Sequence, residues 1–248
     1  MLQDSEYSPW VKTIFSSIKT ATQLRSLRQF HEVFRYLLDD VMFATEGAQK
    51  KLKEHQKYTS DRVNRRMQRE PEQPDFWTKI LAKHEGEGGL SLEEHYSNAS
   101  LFMMAGTETT ATALAGATYH LLRNRACLDK LVNEVRKSFE SVEDVTVDKA
   151  ARLTYLQAVL QEGIRLYPPL SIGMPRTTPK GGSVICGGYI PEGVTISASH
   201  YATYRMEQHF KNALEFHPER WLGDEEYKND HLDAAEVSRC TTCFGRRY

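Results

Sequence analysis

The stretch from Ser91 to Leu122 predicts one unusually long helix, which constrains the fold more than any other feature of the chain. Ser91 and Glu94 have the spacing of a capping box, in which the serine caps backbone N–H groups and the glutamate reaches back. The pattern then runs for about thirty residues, roughly 45 Å at 1.5 Å per residue. Residues 101–105 are apolar on every side, as in a helix buried at the centre of a domain. We therefore expect a helix that crosses a whole domain.

Helical periodicity also covers the N-terminal part of the chain, from residue 10 to about residue 69. Apolar residues between 24 and 41 recur at three- and four-residue steps, which predicts one buried helix face. Residues 50–69 are rich in lysine and arginine, and we interpret them as a solvated helix face, with a membrane-surface or partner-docking face as the alternative. Pro71 and Pro74 are expected to end this helix, because proline lacks a backbone donor.

Two shorter helices are predicted after the long one. The first passes through residues 131–139. The second begins at Thr154, with Gln157 completing another capping box, and ends against the prolines at 168–169.

The periodicity changes to that of strands beyond these prolines. Residues 183–186 and 189–190 flank Gly187 and Gly188, which is a hairpin signal, and 194–197 form a third short run. Long helices followed by a small sheet predict a mainly α fold with a small β-sheet, of the α+β class.

The composition favours a globular protein and excludes several classes. Lys plus Arg number 32 against 33 Asp plus Glu, a balance that argues against a nucleic-acid-binding protein. Mean hydropathy is −0.55, and no apolar run approaches the roughly 18 residues of a transmembrane helix, so we expect no transmembrane segment. The N-terminus lacks the build of a signal peptide, and four cysteines are too few for a disulfide scaffold. We expect a soluble, intracellular protein.

Several patterns of common enzymes and metal sites are absent from the sequence. No two of the nine histidines lie three to five residues apart, and neither a glycine-rich phosphate loop nor a Gly-x-Ser-x-Gly motif occurs. Cys240 and Cys243 form a Cys-x-x-Cys pair, but a four-thiolate zinc site needs a second close pair and a redox pair needs a βαβ unit. The sequence therefore leaves any metal ligand unknown.

The first of three informative patterns is Ala-Gly-Thr-Glu-Thr-Thr at residues 105–110, in the middle of the long helix. Gly106 lowers helix stability by about 1 kcal/mol relative to alanine, which suggests that something approaches the backbone there. Glu108 and the threonines place an acid and hydroxyls in an apolar stretch, which is costly unless they are hydrogen-bonded. The alternative is that the threonines bond their own helix and Glu108 meets a cation.

The second and third patterns are short and weak when taken alone. Glu162 and Arg165 lie three residues apart, so they share a helix face and can pair. Phe216 is followed by Pro-Glu-Arg-Trp at 218–221, and its arginine, Arg220, can complete a network with that pair through a bidentate contact.

Together, in this order and at this spacing, the three patterns closely resemble the cytochrome P-450 family of haem-thiolate monooxygenases. The resemblance extends from about residue 7 to about residue 221, and the stretches 181–191 and 202–210 are similar to filamentous-fungal members of secondary metabolism. It implies a partial cytochrome P-450 fold in which residues 1–248 form the C-terminal half of one domain.

The resemblance implies a role for each matching residue. Thr109 would hydrogen-bond dioxygen at the haem iron, and Glu108 would relay protons for O–O cleavage. Ala105 and Gly106 would leave room for oxygen beside the haem, while Arg176 would bind a haem propionate. A structural network beneath the haem is implied for Glu162, Arg165 and Arg220. Substrate contacts are implied for Leu101, Met104 and the loop at 170–174.

The resemblance also implies a reaction, partners and a location. The reaction is haem-dependent oxidation or hydroxylation of an apolar small molecule, with dioxygen and NADPH–cytochrome P-450 reductase as partners and no nucleic acid. Family members are typically anchored to the endoplasmic reticulum membrane. We therefore expect this chain in the cytoplasm or peripherally at that membrane.

Two departures from the family pattern bear on activity. The family's haem-ligating loop reads Phe-x-x-Gly-x-Arg-x-Cys-x-Gly, whereas Cys240 and Cys243 lack the preceding phenylalanine and glycine. The first half of a family member is also missing, so we expect a chain truncated at both ends. Thiolate ligation supplies the electron push for oxygen cleavage. Because the family's ligating loop is not recognisable here, two alternatives to an active enzyme stay open. One is a non-catalytic remnant or helical interaction module, and the other is an unrelated helical protein that carries the motifs by coincidence.

Overall fold

The computed structural model describes residues 46–69, 72–81, 89–185 and 187–230. The chain divides into two units, Met1–Gly106 and Thr107–Tyr248, and each is described by itself. The helix predicted before residue 46 therefore lies outside the described residues. The same holds for Pro71 and for the cysteine pair at 240 and 243.

The first unit contains helix α1 (Glu46–Met67), helix α2 (Phe76–Leu81) and the beginning of helix α3 (Leu92–Arg123). Helix α3 has 32 residues, about 48 Å at 1.5 Å per residue, and so confirms the predicted long helix. Its capping box is also formed. The Ser91 N–H donates to Glu94 Oε2 at 2.8 Å, and the Glu94 N–H donates to Ser91 Oγ at 3.3 Å.

The apolar stretch at 101–105 is not buried on every side, so that prediction is wrong for the chain as described. Leu101 and Phe102 are more than half exposed, and Met104 is also exposed. A side chain is buried only if another element packs against it. The pattern within one helix shows that the residues are apolar, but it does not show what covers them.

The second unit is built around one central helix. Its helices are α4 (Arg125–Ser138), α5 (Val147–Ala150), α6 (Thr154–Leu166) and α7 (His200–Thr203), followed by 3₁₀ helices at Pro218–Trp221 and Glu225–Tyr227. The core consists of four buried residues, three of them on α6: Tyr155, Val159, Leu166 and Phe216. Helix α6 buries seven of its thirteen residues, and these include the charged Glu162 and Arg165 as well as apolar and small residues.

Helix α6 begins at Thr154 as predicted, but its predicted capping box with Gln157 is wrong, since no side chain at its N-terminus forms a cap. The cap comes instead from Glu134 on α4, whose carboxylate accepts the backbone N–H groups of Tyr155 at 2.8 Å and Leu156 at 2.9 Å. A carboxylate fits there because helix N-terminal N–H groups are unpaired and carry partial positive charge. The neighbouring helix therefore replaces the local cap.

Two short antiparallel sheets complete the described part of the second unit. Strand β1 (Arg176–Thr177) pairs with β4 (Thr195–Ile196), and β2 (Ser183–Ile185) pairs with β3 (Gly188–Ile190). The predicted hairpin is confirmed, but its turn is shifted by one residue because Gly188 pairs with Ile185 within the sheet. The mainly α fold with a small β content is confirmed. None of the described helices is long and apolar enough to cross a bilayer.

Candidate functional site

Glu162 and Arg165 form a bidentate ion pair inside the second unit. Arg165 Nε donates to Glu162 Oε2 at 2.9 Å, and Nη2 donates to Oε1 at 2.8 Å. Both residues lie on α6, one turn apart, and both are at most 2 % exposed. The pair predicted from the sequence is therefore formed, and it is closed to water.

The remaining donors of Arg165 bind backbone carbonyl oxygens of the chain segment that follows α7. Nη1 donates to the carbonyls of Tyr204 at 2.7 Å and Ala213 at 2.6 Å, and Nη2 donates to the carbonyl of Glu215 at 2.9 Å. A guanidinium has five N–H donors, and all five are used here. Arg165 therefore fastens α6 to a loop forty to fifty residues further along the chain.

Arg220 joins the same carboxylate from the first 3₁₀ helix. Its Nε donates to Glu162 Oε1 at 3.2 Å, its Nη2 donates to the Lys211 carbonyl at 3.0 Å, and its Nη1 pairs with Asp230. The guanidinium also lies over the ring of Tyr227, 4.6 Å from the centroid. The three side chains are thus in contact, but Arg220 contacts Glu162 through one hydrogen bond, and the bidentate contact is made by Arg165.

Three members of this network were missed by the sequence analysis. Trp221 Nε1 and the backbone N–H of His217 each donate to the Glu162 carboxylate at 2.9 Å, and Asp230 pairs with Arg220. Trp221 could have been found, because an indole N–H beside a network arginine needs a partner when buried. No sequence motif indicates that Asp230 belongs to the network.

The charges of the network cancel in a buried place. Glu162 and Asp230 balance Arg165 and Arg220, and these side chains are 3 % exposed or less. Burial works to raise the pKa of Glu162, but hydrogen bonds and charge from the two arginines outweigh it and hold the pKa below its ordinary value. A carboxylate so fully bonded has no free position for a substrate, so the network holds the fold rather than reacting.

The residues of the oxygen-motif pattern lie on consecutive turns of α3. Ala105 and Gly106 are exposed, and a Cβ added at Gly106 would contact nothing within 4 Å. Glu108 and Thr109 are half-buried. Burial raises the pKa of Glu108, so this acid holds its proton to higher pH than an exposed glutamate.

Arg176 lies half-buried on β1, where it donates from Nη1 to the carbonyl of Pro175 at 3.0 Å. Within the described ranges no carboxylate lies within ion-pair distance of it, and it shares no hydrogen bond with the Glu162 network. Its remaining donors are therefore available to a carboxylate supplied by another group.

Cysteine and metal chemistry are sparse in the described part of the chain. No group of three or more His, Cys, Asp or Glu side chains there could hold a metal ion. Cys127 is half-buried, and burial is the main cause that raises the pKa of its thiol, which disfavours the thiolate. Cys186, Cys240 and Cys243 lie outside the described residues.

A small cleft of about 410 Å³ borders the network at the C-terminal end of α3. One wall is the His120 ring, stacked on the Phe216 ring with centroids 5.3 Å apart. Burial lowers the pKa of His120 below its ordinary value, although the negative charge of Glu162 acts in the opposite direction. The environment therefore favours the neutral imidazole over the charged one.

Comparison with known proteins gives the family directly. The family model described as cytochrome P450 matches residues 1–235 of the 248. The chain belongs to the cytochrome P-450 family. The cytochrome P-450 monooxygenase efuB of Hormonema carpetanum is 46 % identical over 99 % of this chain and 49 % of its own length. The trichothecene C-15 hydroxylase of Fusarium sporotrichioides is 35 % identical over 95 % of this chain and 48 % of its own length.

Solved cytochrome P-450 structures share the fold. A crystal structure of the cytochrome P-450 CYP102L1 superposes with a TM-score of 0.68 and 22 % identity, covering 92 % of this chain and 50 % of that one. The chain thus spans about half the length of the cytochrome P-450 relatives it matches. Membership of the family implies a haem-iron cofactor, and the hypothesis of an unrelated helical protein is wrong.

Proposed function

We propose that this chain is the part of a fungal haem monooxygenase that contains the oxygen-activation motif and the Glu-x-x-Arg network, and that residues 1–248 are the C-terminal half of one cytochrome P-450 domain. The observation that carries the proposal is on α3. There a glycine with an open face, Gly106, is followed two residues later by Glu108, a half-buried acid with a raised pKa. A half-buried acid that holds its proton to higher pH is suited to deliver that proton.

The described residues fit the surroundings that a haem requires. In the first unit, the open face at Gly106 and the small exposed side chain of Ala105 leave space for a flat group. In the second unit, taken by itself, Arg176 has donors for a propionate. When bound, the haem would supply oxygen activation, so that one oxygen atom enters a C–H bond and the other leaves as water, with electrons from NADPH through a reductase. Glu108 would hold and pass a proton, and the Thr109 hydroxyl would donate a hydrogen bond.

The thiolate is the part of the proposal that the described residues do not supply. Cys127 does not fit the role, because its thiol pKa is raised and burial disfavours its charged form. Cys240 and Cys243 are the candidates named from the sequence. The monooxygenase function therefore requires that Cys240 or Cys243 bind the haem iron.

An apolar small molecule is the substrate class that the exposed side chains support. Leu170, Ile172 and Met174 are each about half exposed in one loop, and the exposed Leu101 and Met104 lie on α3. Several exposed apolar side chains within one loop, as at 170–174, are typical of a binding surface. One relative is named for hydroxylation at a carbon position, which supports hydroxylation as the reaction. The setting is secondary metabolism, in the cytoplasm or peripherally at the endoplasmic reticulum membrane.

The test is a carbon-monoxide difference spectrum of the reduced, haem-supplemented 248-residue chain. The proposal expects a strongly red-shifted Soret band, which is lost in Cys240→Ser or in Cys243→Ser and kept in Cys127→Ser. A chain that takes up haem without this band, or takes up none, would refute the monooxygenase function for this chain.

The second candidate function is a non-catalytic helical interaction module. The exposed Leu101 and Phe102 on α3 favour it, because such side chains seek a partner. It expects no red-shifted band together with strong binding of a hydrophobic dye that Leu101→Glu/Phe102→Glu abolishes.

A further inference from the structure

Helix α3 exposes one face over its last turns, which belong to the second unit. This outer face consists of Ala111, Leu114, Ala115, Thr118, Tyr119 and Leu122. Its three large side chains are more than half exposed, Leu114 at 54 %, Tyr119 at 55 % and Leu122 at 69 %. Single exposed apolar residues are ordinary on a protein surface, whereas several on one side of a helix form a patch that marks an interaction site.

The outer face has the spacing of a helix–helix contact and carries no charge. Its positions recur at steps of three and four residues, which places their side chains along one side of the helix. The solvent-facing side of a helix normally carries charged and polar residues, but the outer face has only the hydroxyls of Thr118 and Tyr119. Its composition is therefore that of a helix face covered by protein.

The opposite face of α3 is already packed within the second unit. Ala117 is 5 % exposed and lies against α6, since a Cβ added at Gly163 would come 2.8 Å from the Ala117 Cβ. Gly116 is as close to Tyr167, because a Cβ added there would lie 2.6 Å from the Tyr167 Cβ. The second unit therefore uses one side of α3 for its own packing and leaves the outer face exposed.

The chemistry of the outer face selects a protein surface over a lipid surface. Helices that lie on a membrane combine an apolar face with lysine and arginine on the polar side. Residues 107–122 contain neither lysine nor arginine. An uncharged face fits an apolar protein surface, because no charge has to be buried when the two meet.

The lengths of the relatives indicate which protein supplies that surface. The efuB monooxygenase matches 99 % of this chain with 49 % of its own length, and the trichothecene C-15 hydroxylase matches 95 % with 48 %. About half of each relative therefore lies outside the match, in the same polypeptide as the matched half. That remaining half is long enough to cover a helix face that the matched half leaves exposed.

We propose that the outer face of α3 binds the half of a cytochrome P-450 chain that these 248 residues do not span, and that the two halves assemble even as separate polypeptides. This inference rests on the proposed function, in which residues 1–248 are the C-terminal half of one domain. Leu114, Tyr119 and Leu122 are the side chains that the partner half covers.

The test is co-expression of the 248-residue chain with the remaining half of efuB as a separate, tagged polypeptide. The purified material is analysed by light scattering without added haem, and a complex of one copy of each half is expected. Leu114→Glu/Leu122→Glu should lower the recovered complex at least about tenfold, because its two carboxylates would be buried without partners.

The matched control is Val142→Glu/Val147→Glu, which adds the same charge at two residues that are 84 % exposed and lie outside α3. It should form the complex like the parent chain, and circular dichroism of each variant shows whether the fold is kept. Three results would overturn the proposal. They are the absence of a complex, equal losses in the two double variants, and a dimer of this chain alone that Leu114→Glu/Leu122→Glu breaks, which would make a second copy the partner.

The measurement needs neither haem nor a thiolate, so it is independent of the carbon-monoxide spectrum. A complex of the two halves from a chain that gives no red-shifted band would refute the monooxygenase function and support this inference. A red-shifted band from a chain that forms no complex would refute this inference alone.

Discussion

Replacing Glu162 by alanine is expected to remove a large part of the stability of the second unit. The change takes away the acceptor of five donors, from Arg165, His217, Arg220 and Trp221. It also leaves two buried guanidinium groups, those of Arg165 and Arg220, with the single carboxylate of Asp230 to balance their charge. Removing one partner of a buried ion pair costs about 3–5 kcal/mol. Since a domain is stable by only about 5–15 kcal/mol, this loss brings the unit close to unfolding.

The contacts that remain set the size of this effect. Hydrogen bonds to a charged group contribute about 1.5–3 kcal/mol each, so five counted separately would exceed the stability of most domains. They do not add in full, because Arg165 keeps three carbonyl acceptors and Arg220 keeps Asp230 and the Lys211 carbonyl. We therefore expect the value for one lost partner, about 3–5 kcal/mol.

The assay is urea unfolding followed by far-ultraviolet circular dichroism. Glu225→Ala is the matched control, because that side chain is 85 % exposed and pairs only with Lys228 among the described residues. We expect the control to change the free energy of unfolding by less than about 1 kcal/mol. Glu162→Gln should lie between the two, since its amide oxygen still accepts a hydrogen bond. Equal urea midpoints for Glu162→Ala and Glu225→Ala would refute the buried network.

Four further substitutions test packing, the network and its surroundings by the same unfolding assay. Gly163→Ala places a Cβ 2.8 Å from the Ala117 Cβ and is expected to cost about 1–3 kcal/mol. Gly106→Ala meets nothing within 4 Å, so it should stabilise α3 by up to about 1 kcal/mol. Trp221→Phe loses the indole N–H donated to the buried carboxylate and should cost about 1–2 kcal/mol. Because the pKa of His120 is lowered in the folded chain, stability should fall as pH drops below about 6.5, and His120→Gln should flatten that slope.

Each of these predictions has a contrary result. Destabilisation by Gly106→Ala as large as that by Gly163→Ala would contradict the open face of α3. An unchanged urea midpoint for Trp221→Phe would show that the indole N–H does not stabilise the network. A His120→Gln variant that keeps the parent slope below pH 6.5 would assign the acid sensitivity to another group.

Local patterns were sufficient wherever the physical cause is local. The capping box at Ser91 and Glu94 needs only residues three apart in sequence, and it is formed as predicted. The hairpin at 183–190 was also predictable, because a glycine with positive φ, Gly187, marks its turn. The ion pair of Glu162 and Arg165 follows from one turn of helix.

Patterns failed where the partner is distant in sequence. Glu134 caps α6 from a neighbouring helix, and nothing in the residues around Thr154 indicates this. The stretch at 101–105 is apolar all round, but exposure depends on what lies against it.

The sequence by itself therefore determined the long helix α3, the start of α6, the hairpin, the order of the three motifs and hence the family. Tertiary structure decided how those motifs bind one another. The Glu162 carboxylate is fully hydrogen-bonded only because residues at least fifty-five positions later in the chain pack against it. These donors are the backbone N–H of His217 and the side chains of Arg220 and Trp221. Short-range spacing fixes which residues share a helix face, whereas burial and hydrogen-bond partners across long separations depend on how the chain packs in three dimensions.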